Sequence, residues 1–117
     1  EAVAWVRHPD LPDHPDHAVA KRQLPKGTTS MIVFGVKGGF DAGRKLINSV
    51  KLASHVSNVG DAKTLLVHPA STTHMQLGPE QRKLAGVPDD LIRLSVGIEH
   101  VDDIIDDLRA SLRASQR

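Results

Sequence analysis

The residue of this chain best suited to chemistry is an arginine set in an apolar run. In "DDLIRLSVGIEH", residues 89–100, Arg93 lies between Ile92 and Leu94. Strand alternation puts Ile92, Leu94 and Val96 on one face, with Leu91, Arg93 and Ser95 on the other. A guanidinium carries its donors in a planar fork that matches a carboxylate or phosphate. Even half-buried it needs a partner, because an unpaired charge away from water is costly. Three readings stay open: an exposed edge strand, a structural pair with Asp61, Asp89 or Asp90, and a charge held at the end of a sheet to grip an anion.

The other polar clusters read more quietly. His8, His14 and His17 share a loop with Asp10, Asp13 and Asp16, but prolines 9, 12 and 15 stiffen it without converging the ligands that zinc requires, so it reads as a solvated polar loop. His68 and His74 in "HPASTTH" read as donors and acceptors that structure a loop. "GVKGG", residues 35–39, has neither Walker spacing nor G-x-G-x-x-G and reads as a strand-to-helix turn. Ser71, Thr72 and Thr73 have no base at a diagnostic spacing. Asp102, Asp103, Asp106 and Asp107 read as the solvated first half of a helix. No metal ligand and no catalytic residue is assigned.

The elements that must position these groups follow from composition and pattern. A length of 117 residues gives one domain, and 39% hydrophobic with 25% charged residues is ordinary for a globular protein. A net charge of +1 gives no electrostatic case for nucleic acid or membrane partners, and Trp5, Phe34 and Phe40 are too few for base-stacking platforms. No run approaches a membrane span and no leader pattern is present, while the absence of cysteine excludes disulfides and fits a cytoplasmic protein. The start at Glu1, running straight into "AVAWV", suggests a fragment or a processed product.

Strands are expected at Ala2 to Val6, 31–36 and 65–67 and around Arg93. Helices are expected from about Pro15 to Gln23, from an Asp41 N-cap through Ala42, Leu46, Val50 and Ala53, and briefly after Pro79. The last carries Val101, Ile104, Ile105, Leu108 and Leu112 as an apolar stripe, its aspartates early and its arginines late, as the helix dipole favours. The fold class is α/β (α+β), a small sheet covered by helices.

Taken as a set, "NVGDAKTLLVHPASTTH" and "AGVPDDLIRLSVGIEHVDDIIDDL" resemble the C-terminal domain of the Cys/Met-metabolism family of pyridoxal-phosphate (PLP) enzymes. "WVRHPDLPDHPDHAVAKRQLPKG" and "FGVKGGFDAGRKLINSVKLASHVSNVGD" extend the resemblance over the whole chain. Asn58-Val59-Gly60, where the cystathionine synthases and lyases and the methionine γ-lyases usually carry Ser-Leu-Gly, is most similar to the O-acetylhomoserine sulfhydrylase branch. The resemblance implies a small, mostly antiparallel sheet covered by helices, residues 1–117 being the substrate-binding domain of a fold-type I transferase. It implies a cytoplasmic homotetramer, several times longer, that makes homocysteine from O-acetylhomoserine and sulfide in methionine biosynthesis. Arg93 would hold the substrate α-carboxylate, with Asn58 and Thr73 beside it. The PLP lysine of the family lies in a Ser-x-Thr-Lys context that is not found here, so PLP would sit on a large domain outside this chain, which would be inert alone. An O-succinylhomoserine sulfhydrylase, a cystathionine γ-synthase or γ-lyase, and a free-standing carboxylate-binding module are the alternatives.

Overall fold

The computed structural model describes residues 1–58 and 60–117. Strands β1 (Val3–Arg7), β2 (Met31–Val36), β3 (Leu65–Val67) and β4 (Leu91–Ser95) form one sheet in the order β1-β2-β4-β3. Each ladder is antiparallel, and a single parallel bridge joins Ser54 to Leu65 among the described residues. Helices α1 (His17–Gln23), α2 (Gly39–Ser49), α3 (Pro79–Leu84) and α4 (Val101–Ser115) alternate with the strands, and a short 3-10 turn spans Pro69–Ser71. The expected mixed fold with a small antiparallel sheet is the one observed. β1 and α1 begin one or two residues later than the pattern suggested.

The alternation around Arg93 decides which face is covered. Ile92 and Leu94 are 0% and 3% exposed, and they join Phe34, Val36 and Leu66 in a core closed by Ala42, Leu46 and Ile47 of α2. Leu108 and Leu112 of α4 pack against the same cluster. By pleat geometry Arg93 projects from the opposite face, away from this core.

One open reading is closed and two local expectations are corrected. β4 is an interior strand between β2 and β3, not an edge. Alternation reports which face a residue takes, but neighbours are chosen by pairing over long sequence separations. α2 is entered through Gly38 rather than capped by Asp41. Gly38 and Gly39 take φ of 99° and 63°, a left-handed turn that glycine adopts without Cβ strain, and Asp41 falls within the first turn instead. The aspartates of α4 do not all face solvent either. Asp107 reaches across to the end of α2 and accepts the backbone N–H groups of Lys51, Leu52 and Ala53 at 2.8, 3.0 and 3.0 Å.

Candidate functional site

Arg93 stands opposite Val33 of β2 and Val67 of β3, in the middle of the face that α2 and α4 leave uncovered. The carboxylates that might have paired with it are engaged elsewhere. Asp89 binds Arg82, Asp90 accepts from the Trp5 indole at 2.8 Å, and Asp61 accepts from Asn58 Nδ2 at 3.1 Å and from the Lys63 N–H at 2.9 Å. The structural ion pair is therefore overturned: among the described residues no carboxylate faces Arg93 in a salt bridge. Its Nη2 donates instead to the Ser57 hydroxyl at 2.6 Å. Among the described residues that neutral hydroxyl is its one side-chain partner, and a guanidinium so placed has the donors to receive an anion.

Ser57 and Asn58 lie on a loop, residues 54–64, whose neck is closed by backbone bonds. Ser54 N–H donates to the Thr64 carbonyl and Leu66 N–H to the Ser54 carbonyl, both at 2.9 Å. Thr64 is fully buried, and its N–H and hydroxyl both donate to the Glu99 carboxylate at 2.7 Å. Those donors hold the Glu99 carboxyl below its ordinary range. The Lys63 N–H, and after it the Asn58 amide, do the same for Asp61. The neck of the loop is thus tied to the connection between β4 and α4, and Ser57 meets Arg93 beyond it. Val59, the middle residue of the quoted tripeptide, lies outside the described residues.

Thr73 is exposed in the turn after the 3-10 segment, with its hydroxyl on His74 Nδ1 at 2.8 Å. No hydrogen bond joins it to Arg93 or Asn58 among the described residues. The structure joins Arg93 to the loop of Asn58 through Ser57 and shows no such link to Thr73 among the described residues. His68, at the start of the same segment, is fully buried. Its Nδ1 meets Ser71 Oγ at 2.9 Å and its Nε2 the Asp89 carbonyl at 2.8 Å. A carbonyl only accepts, so Nε2 carries the proton. Burial pushes the imidazole pKa down and keeps the ring neutral. The reading of His68 as a loop-structuring residue matches this geometry.

His8 and His17 bond the Thr29 and Pro9 carbonyls, and His14 accepts the Asp16 N–H. Among the described residues no three His, Asp or Glu side chains converge as a metal site. The PLP implied by the resemblance needs an enclosed amine to join its aldehyde. Lys21, Lys26, Lys37, Lys45, Lys51, Lys63 and Lys83 are all exposed, and the sequence has no tyrosine to stack on its ring. These residues do not fit the cofactor by themselves, and no chemical step is assigned to it here.

Sequence reasoning passed over Ser57, Asp107 and the Arg82–Asp89 pair. Asp107 carried a signal: it sits three residues after buried Ile104 and four before buried Ser111, on the inward face of α4. Ser57 carried none beyond its place next to Asn58.

Comparison with known proteins gives these groups a context. The model of the family described as "Cys/Met metabolism PLP-dependent enzyme" matches residues 1–113. The O-acetyl-L-homoserine sulfhydrylase 1 of Thermus thermophilus is 48% identical over 110 residues, covering 94% of this chain and 26% of the relative. The L-methionine gamma-lyase of Fusobacterium nucleatum subsp. polymorphum is 50% identical over 110 residues, covering 94% and 28%. The crystal structure of cystathionine gamma synthase from Xanthomonas oryzae pv. oryzae in complex with cystathionine superposes with a TM-score of 0.86 at 39% identity, covering 98% of this chain and 30% of that one. The chain spans about a quarter of the length of the curated relatives it matches.

Proposed function

Because the chain belongs to the Cys/Met metabolism PLP-dependent enzyme family, we propose that it is the C-terminal, substrate-gripping domain of an O-acetylhomoserine sulfhydrylase. The enzyme makes homocysteine from O-acetylhomoserine and sulfide by γ-replacement, in methionine biosynthesis. PLP is held by a large domain outside residues 1–117, the holoenzyme is a cytoplasmic homotetramer, and the chain alone is inert. Arg93 binds the α-carboxylate, Asn58 lies against the same group, and Thr73 lines the rim. The observation that carries this reading is a half-buried arginine on the open face of the sheet that, among the described residues, has a serine hydroxyl and no carboxylate for a partner.

The domain's contribution is orientation. A bidentate guanidinium–carboxylate grip fixes both the position and the plane of the carboxylate, and so the direction of every bond at Cα. Lysine would supply the charge without the plane. The loop of Asn58 closes the carboxylate end, while the reacting end of the substrate is handled outside this chain.

A second reading within the family rests on the lyase and the synthase, which are 50% and 39% identical to the chain. A γ-lyase or γ-synthase would use the same carboxylate grip with a different group at Cγ. The test is homocysteine formation from O-acetylhomoserine and sulfide by the PLP-loaded holoenzyme that contains this chain, with the chain plus PLP assayed beside it. Turnover by the holoenzyme alone is expected. Preference for cysteine or O-succinylhomoserine overturns the branch, and turnover by the chain alone overturns the division between two domains.

A further inference from the structure

The segment from His68 to Leu77 is stiff within itself. The Thr72 hydroxyl donates to the His68 carbonyl at 2.9 Å, His74 N–H to the Pro69 carbonyl at 2.8 Å, and Leu77 N–H to the His74 carbonyl at 3.1 Å. Such a body moves as a unit unless its ends are tied, and both ends are tied to one residue. At the first end, the His68 ring donates to the Asp89 carbonyl. At the other, Arg82 of α3 donates Nη1 to the Leu77 carbonyl while its Nε and Nη2 hold Asp89 Oδ1 at 2.9 and 2.7 Å.

Arg82 is only 7% exposed, so each of its donors needs an acceptor inside the fold. Phe40 of α2 braces both anchors. Its ring meets His68 edge-on at 5.3 Å between centroids, and the Arg82 guanidinium carbon lies 5.9 Å from its centre. Asp89 stands in the turn that leads into β4, the strand that carries Arg93, and β3 delivers its last residue, Val67, directly opposite Arg93.

We propose that Asp89, Arg82 and His68 form a clamp that registers the 68–77 segment to the root of β4, and that they are positioning residues for the carboxylate site. This rests on the reading of Arg93 given above. The clamp fixes where this segment, which carries Thr73 and leaves β3 opposite Arg93, stands relative to the guanidinium. A loosened clamp lets the segment rock about β3, which weakens substrate capture and leaves the chemical step untouched.

Arg82→Lys tests this with a variant that keeps the charge and loses the three-way grip. In the holoenzyme, KM for the amino-acid substrate is expected to rise about tenfold with kcat within about threefold. In the 117-residue chain, amide exchange across 71–76 should quicken about tenfold while β2 and α4 keep their protection. Asp89→Asn retains the Oδ1 acceptor and should restore most of what Asp89→Ala loses, and Ser71→Ala should give a weaker form of the same split.

A lower melting temperature with unchanged KM and unchanged loop exchange overturns the proposal and leaves a purely structural pair. Arg93→Ala measured in parallel separates the two claims. If it leaves KM unchanged, the carboxylate reading fails, and faster loop exchange in Arg82→Lys decides the clamp alone.

Discussion

Removing the Asp107 carboxylate strips three consecutive backbone N–H groups, in the segment just after α2, of their acceptor on α4. The size of the effect follows from exposure. A hydrogen bond to a charged group contributes ~1.5–3 kcal/mol when both partners are shielded. Lys51 is exposed, so water takes over its N–H at little cost. Leu52 is half-buried and Ala53 only 8% exposed, so their N–H groups are harder to rehydrate. Alanine recovers a few tenths of a kcal/mol of helix propensity. Asp107→Ala is therefore expected to lower stability by about 2–4 kcal/mol, and a domain of this size loses about 4 °C of melting temperature per kcal/mol. Asp107→Asn keeps one carbonyl oxygen and should lose roughly half as much. The assay is urea unfolding of the chain at pH 7, with the m-value checked for constancy. A loss under about 0.5 kcal/mol would refute the reasoning, because it would mean that water satisfies all three groups as well as the carboxylate does.

Other expectations concern the ring that the clamp depends on. A Cβ at Gly43 of α2 would run into the imidazole of His68, so Gly43→Ala should destabilise the chain by about 1–3 kcal/mol through overpacking, despite the gain in helix propensity. Calorimetry that finds it neutral or stabilising would show that the ring moves aside freely. The pH dependence has a defined sign. Burial depresses the folded pKa of His68 below its ordinary 6.5, so the unfolded chain takes up a proton first. The contribution of the neutral ring is complete above about pH 6.5 and fades as pH falls from there towards the folded value. Asp61 and Glu99 are also depressed, but from 3.8 and 4.5, so their contributions fade only at lower pH. The slope of unfolding free energy between pH 7 and 5 should flatten in His68→Asn, and an unchanged slope would remove His68 as its cause.

Much of this fold was legible before its structure, because local pattern determines faces and breaks. A β-branched and aromatic run marked β2 and a short apolar run β3, Pro79 and Gly86 bracketed α3, and in β4 alternation sent Ile92 and Leu94 inward while Arg93 pointed away. What stayed hidden depends on partners far along the chain. That β4 is interior rather than an edge follows from ladders to β2 and β3, which lie some sixty and some twenty-five residues away. The fate of the carboxylates was equally hidden: Asp90 meets Trp5 across 85 positions, and Asp107 meets Lys51 across 56. Arg93 could be singled out as an oddity, but that its neighbour is Ser57 rather than an aspartate required the fold. Gly38 hid the start of α2 because the left-handed entry it permits competes with Asp41, the better N-cap by residue type.

The central proposal is that Arg93 acts in turnover through the substrate carboxylate. It is tested most directly by measuring kcat/KM of the holoenzyme and of its Arg93→Ala variant on two compounds, O-acetylhomoserine and its decarboxylated analogue, each with sulfide. One lost bond to a charged group, ~1.5–3 kcal/mol, predicts a fall of about tenfold to about 150-fold on the amino acid. On the analogue the two enzymes should agree within about twofold, since the group that Arg93 grips is already gone. An equal loss on both compounds, or no loss on the amino acid, would contradict the account.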